Sequence, residues 1–545
     1  MRQQRNDMSA SRSCNVLMIY PRFQANTFWN FSEACKLMGA RYPTPPLGLI
    51  TVAAMLPAQW NVRLVNRNTE DVAEEDFAWA DMVMTGGMIN QQVDALRLIE
   101  LGQRHGKPVI VGGPDATSSP RIYQNADFLV LGEVENVLSQ FVTAWEAGER
   151  RGSFIADKFQ IDVTRTPAPR FDLLRTDHYM YVGVQYSRGC PFTCEFCDII
   201  ELYGRVPRTK SPPQMLAELE ALYHLGYRGH VDFVDDNLIG NRRSLRVFLP
   251  QLIAWQEAHG YPFEFSTEAS LNLADDHDLL ELMRKANFFA VFVGIESPDS
   301  ATLLHTKKKQ NTRRDIAESV HRLYAAGMFV TAGFILGFDS EKGSVAEAMA
   351  DLIEEAAIPV AMIGLLYALP NTQLARRLEK EGRLHPNHDR MIAERGDHCT
   401  LGLNYDSLRP ESDVLRDYRR VLERIYDPAA YARRLDRLAA MLDRSGRPAE
   451  LAEGDRRRVL ASVEFVHSVL SRVPEGREAF WKVFKNCRST NPAALRQIMS
   501  LMALYTHLGP FSRFVIGEID RRVETLAGAT RPIGTARAMP AAASA

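Results

Sequence analysis

The sequence predicts an α/β protein in three parts. Two series of short apolar strands alternate with polar-faced helices, one before residue 147 and one after residue 181. An Arg-, Leu- and Ala-rich helical region follows residue 370. Strict alternation of strand and helix builds parallel sheets whose faces the helices cover. With 545 residues, 46% of them hydrophobic, roughly two to four domains with cores of their own are expected.

In the first series, Asn15–Tyr20 is an apolar run stopped by Pro21, as a first parallel strand would be. Residues 45–56 suit a helix with Pro45 and Pro46 at its entry. Val62–Val65, Met82–Thr85, Val109–Val111 and Phe128–Leu131 read as further strands, with helical stretches such as Gln91–Arg104 between them. The expected fold is a doubly wound sheet that binds ligands at the carboxyl ends of its strands. Glycines gather there: Gly86 and Gly87 after Thr85, then Gly112 and Gly113, then Gly132 before Glu133. Taken alone they read better as turn residues. No G-x-G-x-x-G follows the first strand, so a dinucleotide is disfavoured. Residues 148–180, polar and punctuated by proline, read as a linker between a domain at 14–147 and one at 181–370.

The second series has six strand candidates: Val182–Ser187, His230–Val234, Phe263–Thr267, Phe289–Ile295, Phe329–Leu336 and Ala361–Leu369. Helices such as Pro213–Leu225 and Leu279–Ala286 separate them. Six strand–helix units fall short of a closed eightfold barrel, whose chemistry sits at the carboxyl ends of the strands. Polar residues at those ends are Asp235 and Asp236, Glu268, and Glu296. Helix N-capping is the plain alternative for each, and for Asp235 the two readings are balanced. Residues 371–525 read as helical, with Val414–Ile425, Arg456–Val469 and Pro492–Leu508 the clearest segments. This region either caps the barrel mouth or serves as a packing or dimerisation module. Residues 1–13 and 526–545 are expected to be disordered.

Between the two series lies Ser187-Arg-Gly-Cys190-Pro-Phe-Thr-Cys194-Glu-Phe-Cys197-Asp198. Three of the seven cysteines fall within eight residues. Thiolates suit iron–sulfur clusters and zinc. A structural zinc wants four closed ligands, and no fourth Cys or His lies close by in sequence. Three thiolates on a [4Fe–4S] cube would leave one iron open to a small molecule.

Cys190-x3-Cys194-x2-Cys197, with Phe196 before the third cysteine, resembles the signature of radical S-adenosylmethionine (SAM) enzymes. With a doubly wound domain ahead of it and a helical extension behind, the chain resembles their cobalamin-dependent branch, in particular methyltransferases of the hopanoid and tetrapyrrole type. The resemblance implies an N-terminal Rossmann-like cobalamin-binding domain, a partial (βα)6 radical SAM barrel and a C-terminal helical domain. It implies Cys190, Cys194 and Cys197 as ligands of a [4Fe–4S] cluster. Phe196, Asp236, Glu296, Gly333 and Ile335 would contact SAM, with Glu296 at the ribose and Gly333 and Ile335 at the adenine. Thr85, Gly86, Gly112, Gly113, Gly132 and Glu133 would border cobalamin. Residues 66–71, where a cobalt-ligating histidine is expected, contain none, which fits members that hold cobalamin without a protein ligand below the cobalt. The implied reaction is C-methylation of an unactivated carbon in a small-molecule or lipid substrate, through a 5′-deoxyadenosyl radical and methylcobalamin. Relatives that catalyse cyclisation, rearrangement or oxidation keep a second reading open, and a non-catalytic iron–sulfur sensor is a third.

Charge excludes little but points away from nucleic acid. A formal net charge of −2 gives no electrostatic argument for polyanions. No apolar run approaches the ~20 residues needed to span a bilayer, which leaves room for peripheral membrane contact at most. The polar start has no apolar signal region, and the sparse cysteines suit a reducing compartment. The expectation is a cytoplasmic enzyme supplied with electrons by a flavodoxin or ferredoxin.

Overall fold

The computed structural model describes residues 13–391, 397–445, 468 and 473–529. Six parallel strands form the first sheet: β1 (Asn15–Tyr20), β2 (Asn61–Asn66), β3 (Met82–Gly86), β4 (Val109–Gly112), β5 (Phe128–Leu131) and β6 (Gly152–Ile155). Their order is β2-β1-β3-β4-β5-β6. Helices cover both faces, and two apolar clusters result: one around Leu17, Ile19, Val83 and Val111, the other around Val16, Met18, Met84 and Ile110. Central strands enclosed on both sides must be apolar throughout, which is why Val16–Ile19 are all buried. Strand order reverses between β1 and β3, and the cleft at that switch point opens above their carboxyl ends. The stretch 148–180 is therefore not wholly a linker, because its residues 152–155 extend the sheet as β6 beside β5. The half-exposed pattern of this edge strand carries no apolar run that sequence reading could find.

The second sheet is also parallel. It comprises β7 (Val182–Val184), β10 (Gly229–Phe233), β11 (Phe263–Glu268), β12 (Phe288–Glu296), β13 (Phe329–Leu336) and β14 (Val360–Leu365), in the order β14-β13-β12-β11-β10-β7. Strands β7 and β14 do not pair, so the barrel is open on one side. Residues alternate along β11: Phe263, Phe265 and Thr267 are buried under the helices, while Glu264, Ser266 and Glu268 face the partly open lumen. Between β7 and β10 a short hairpin, β8 (Ser187–Arg188) with β9 (Arg208–Thr209), frames the cysteine loop.

The helical extension closes the open side. The helix Glu411–Ile425 lies along β14, where the Tyr418 hydroxyl donates to the Ile363 carbonyl at 3.0 Å and the Tyr426 hydroxyl to the Ala361 carbonyl at 2.6 Å. The predicted segment 456–469 lies outside the described residues, apart from Ser468. The predicted helix 492–508 is the start of a much longer one, Leu495–Ala529. That helix meets an unexpected partner. Directly after β1, residues 27–37 leave the first domain and pack on it. Phe28 lies edge-on to Phe511 with centroids 6.1 Å apart, Phe31 lies edge-on to His507 at 5.5 Å, and His507 Nε2 sits 3.1 Å from the Phe28 carbonyl oxygen. Among the described residues no helix is long and apolar enough to cross a membrane.

Candidate active site

The cysteine loop is held by the end of β10. The Asp235 carboxylate accepts from the Tyr186 amide at 3.0 Å, the Ser187 amide at 2.5 Å and the Ser187 hydroxyl at 2.5 Å. Asp236 accepts from the Gly189 amide at 2.7 Å. Gly189 has φ +96°, and a Cβ there would meet the carbonyl oxygens of Gly204, Tyr203 and Val206 at 3.0–3.1 Å. Asp235 is thus a strand-end anchor rather than a helix cap. On the other flank, Glu195 accepts from the Leu374 amide through its backbone carbonyl at 2.8 Å and pairs with Arg377 at 3.0 Å. The loop's shape is imposed from both sides.

Inside this frame Cys194 is buried and Cys190 and Cys197 are half-buried. Amide groups point at two of the sulfurs: Asn237 Nδ2 lies 3.9 Å from Cys190 Sγ and Gln310 Nε2 lies 3.7 Å from Cys194 Sγ. Burial pushes the Cys190 thiol up, and burial followed by Asp198 pushes the Cys197 thiol far up, so both stay protonated until a metal displaces the proton. Among the described residues no three His, Cys, Asp or Glu side chains converge as ligands of a single metal ion would. Three thiolates suit a [4Fe–4S] cube that leaves one iron open, whereas a structural zinc wants four closed ligands.

The SAM candidates surround the same loop. Phe196 leans on Phe338, just past β13, with ring centroids 5.8 Å apart. Gly333 lets the Phe292 ring lie across β13, because a Cβ there would sit 3.1 Å from Phe292 Cζ. Ile335 shares that inner face, half-buried. Glu296 stands at a register break in β12 with φ +70°, and Lys308 donates to its Oε1 at 2.6 Å. Gly294 leaves space for this pair, since an added Cβ would lie 2.3 Å from Glu296 Oε1. Burial lowers the Lys308 pKa, but Glu296 and then Cys194 outweigh it and hold the ammonium protonated. Sequence reading missed Lys308, Asn237 and Gln310. Lys308 is the middle of Lys307–Lys309, a run that looks like a solvated face, and only the fold shows that Lys308 is buried.

The cobalamin candidates divide into two groups. Gly86, Gly112 and Gly113 lie against one another at the ends of β3 and β4: a Cβ on Gly86 would lie 2.7 Å from the Gly112 oxygen, and one on Gly113 (φ +89°) would lie 3.0 Å from the Gly87 nitrogen. The Thr85 hydroxyl donates to the Ile19 carbonyl at 2.8 Å. Gly132 donates its amide to Thr117 Oγ1 at 2.9 Å. Glu133 instead reaches across to the barrel, pairing with Arg188 at 3.3 Å and Arg208 at 2.9 Å, while Arg188 also meets Glu135 at 2.6 Å. The cleft has a feature suited to a carboxamide-rimmed corrin: Gln24, in the loop after β1, has both amide atoms buried without a hydrogen-bond partner. Residues 66–71 follow edge strand β2, one strand away from the switch point. Asn66 there binds the Tyr179 hydroxyl and Asn68.

A doubly wound domain docked by its ligand edge on an open six-stranded barrel, with three loop cysteines at the barrel mouth, defines a cobalamin-type radical SAM architecture. The family models agree: residues 38–142 match the B12 binding domain, 184–353 the Radical SAM superfamily, and 372–521 a Domain of unknown function (DUF4070). The chain belongs to the family of cobalamin-binding radical SAM methyltransferases, and its cofactors are a [4Fe–4S] cluster, SAM and cobalamin. It is 43% identical over 513 residues to an uncharacterized methyltransferase of Synechocystis sp., covering 93% of this chain and 94% of that one. It is 37% identical over 433 residues to the hopanoid C-2 methylase of Rhodopseudomonas palustris, covering 78% and 80%. In fold it resembles the cobalamin-dependent SAM radical enzyme OxsB with aqua-cobalamin bound (TM-score 0.57, 14% identity, 94% of this chain and 81% of that one). It also resembles the radical SAM methyltransferase TsrM of Kitasatospora setae (TM-score 0.54, 15% identity, 68% and 78%).

Proposed function

We propose that this enzyme methylates an unactivated carbon of a polycyclic, largely apolar lipid of the hopanoid type. The observation that carries the substrate class is the aromatic wall that the 27–37 segment adds to the barrel. Trp29 lies against Phe292 on the inner face of β12, with ring centroids 5.5 Å apart, and Phe28 and Phe31 tie the segment to the long C-terminal helix. Identity to the hopanoid C-2 methylase supports the same class.

In this reading Cys190, Cys194 and Cys197 hold the cluster, and Asn237 and Gln310 direct N–H groups at two of its sulfurs. Lys308 and Glu296 meet the charged and hydroxyl groups of SAM, and Phe196, Gly333 and Ile335 flank its adenine. When bound, these cofactors supply a carbon-centred radical and a transferable methyl group, which an sp³ carbon needs because it cannot act as a nucleophile. The chain positions the target carbon, and it excludes water with the aromatic wall. All seven cysteines are free thiols, which supports a reducing cytoplasm, and a flavodoxin or ferredoxin would deliver electrons.

The test supplies the reduced, reconstituted enzyme with a pentacyclic triterpene and follows two SAM products. Methylation requires S-adenosylhomocysteine and 5′-deoxyadenosine to rise together with a methylated triterpene. Formation of 5′-deoxyadenosine with no S-adenosylhomocysteine would replace this reading with a cyclisation or oxidation.

A further inference from the structure

The wall of the lumen beside the aromatics carries a row of polar side chains, and the cluster loop does not use it. His230 and Asp232 on β10 and Ser266 and Glu268 on β11 follow one another on the inner face, with Asp232 level with Ser266 in register. His230 Nε2 lies 2.6 Å from Ser266 Oγ, and Ser266 donates to Asp232. Glu268 ends the row. Its Oε2 is buried and has no hydrogen-bond partner, an arrangement that is unfavourable unless something else completes it. Directly beside Glu268 in register stands Phe292, on which Trp29 rests. Trp29 keeps 40% of its surface exposed, although three rings surround it. The boundary between a polar wall and an apolar wall therefore runs between two neighbouring side chains.

We propose that Glu268, positioned at the end of the Asp232–Ser266–His230 chain, hydrogen-bonds a hydroxyl group on the substrate while the hydrocarbon body lies against Trp29 and Phe292. Burial, and then the nearby Asp232, Asp235 and Asp236, push the Glu268 carboxyl well above its ordinary range. A carboxyl pushed toward its protonated form can both donate to and accept from an alcohol. A bare hydrocarbon would leave it unpartnered. Selection rests on that asymmetry, because a polar group left unsatisfied in a buried site penalises the analogue that lacks its partner. The proposal deepens the lipid reading above and rests on it for the apolar skeleton.

The test measures equilibrium binding of two pentacyclic triterpenes with one skeleton, an alcohol and its dehydrated alkene, to the full-length, cofactor-loaded enzyme. Wild type is expected to hold the alcohol about tenfold more tightly, the worth of one well-made buried hydrogen bond. Glu268→Leu is expected to abolish that preference by weakening alcohol binding alone. The same variant should raise Tm, since it removes an unpartnered buried carboxyl, and should leave substrate-free SAM cleavage unchanged. Equal binding of both compounds by wild type overturns the proposal, as does a loss of SAM cleavage in Glu268→Leu, which would assign the carboxyl to SAM. Binding of neither compound also overturns it. Preferential binding of the alcohol without methylation supports the hydroxyl site and removes the hopanoid reading instead.

Discussion

Cys190, Cys194 and Cys197 differ from Cys14, Cys35 and Cys487 in what surrounds them. Cys14, Cys35 and Cys487 are buried among apolar side chains, and burial pushes Cys14 and Cys35 up to about 12 and Cys487 to about 11. Two of the loop sulfurs, those of Cys190 and Cys194, have side-chain amide donors, and the Lys308 ammonium acts on all three. Alanine at any of the three should abolish SAM cleavage and lower bound iron, because each removes one of the three proposed ligands. Alanine at Cys14, Cys35 or Cys487 should leave both nearly intact; iron analysis and 5′-deoxyadenosine yield decide. A second residue-scale prediction comes from neighbours in the lumen. Burial lowers His230 to about 4 and raises Asp232 to about 6. For His230 the unfolded chain binds more protons between pH 4 and 6.5, so its contribution to stability grows as pH rises. For Asp232 the folded chain binds more protons between pH 3.8 and 6, so its contribution shrinks as pH rises. The two nearly cancel. Relative to wild type, His230→Gln should lose about 3 kcal/mol of stability as pH rises from 4 to 6, and Asp232→Asn should gain a similar amount. Denaturant melts at the two pH values test this, and parallel profiles for all three proteins would refute it.

At the scale of elements, the β8–β9 hairpin matters most because it joins two domains. Arg188 and Arg208 project from it into Glu133 and Glu135 of the loop after β5, and all four side chains are at most 16% exposed. Removing one member of such a buried set leaves uncompensated charge and typically costs ~3–5 kcal/mol. Glu133→Gln should therefore destabilise far more than Asp351→Asn, whose Arg424 partner sits at the surface, where a pair is worth about 0–1 kcal/mol. Equal shifts in urea midpoint would show that the clamp is solvated. The hairpin also marks what a sequence can disclose. Strands with apolar cores, from Asn15–Tyr20 to Val360–Leu365, announced themselves by local pattern, and the cysteine loop did so by spacing. Two-residue strands, the edge strand Gly152–Ile155 and the partner of Glu133 left no local pattern, because each is defined by residues tens of positions away. Glu133 was legible as a strand-end residue, but not as an ion pair to Arg188.

Across the whole molecule, the strap at 27–37 and the stretches 384–391 and 397–405 lock the parts together. The strap ties the first domain to the last helix. The later stretches cross back: Gln92 Nε2 donates to the Asp389 carbonyl at 3.0 Å, the Met391 amide donates to Gln92 Oε1 at 2.8 Å, and His398 Nδ1 lies 2.7 Å from Asn90 Oδ1. Strap and stretches therefore bear on the loops around the switch point. Their geometry decides which histidine could approach cobalt. His105, at the far end of the Gln92–Arg104 helix, is stacked on Phe77 with rings 4.3 Å apart, away from the ligand edge. His398 does face that edge, but Asn90 engages one ring nitrogen and Cys399 Sγ, at 3.3 Å, the other. Burial lowers its pKa, so the ring stays neutral and already has partners at both nitrogens. Cobalamin loaded as cob(II)alamin is therefore expected to show an electron paramagnetic resonance spectrum without superhyperfine splitting from a protein nitrogen, in wild type and in His105→Ala alike. Splitting that vanishes in His398→Gln would mean that the ring releases Asn90 or Cys399 to reach the metal. The chain would then supply an axial ligand from its barrel extension and not from the domain that carries the corrin.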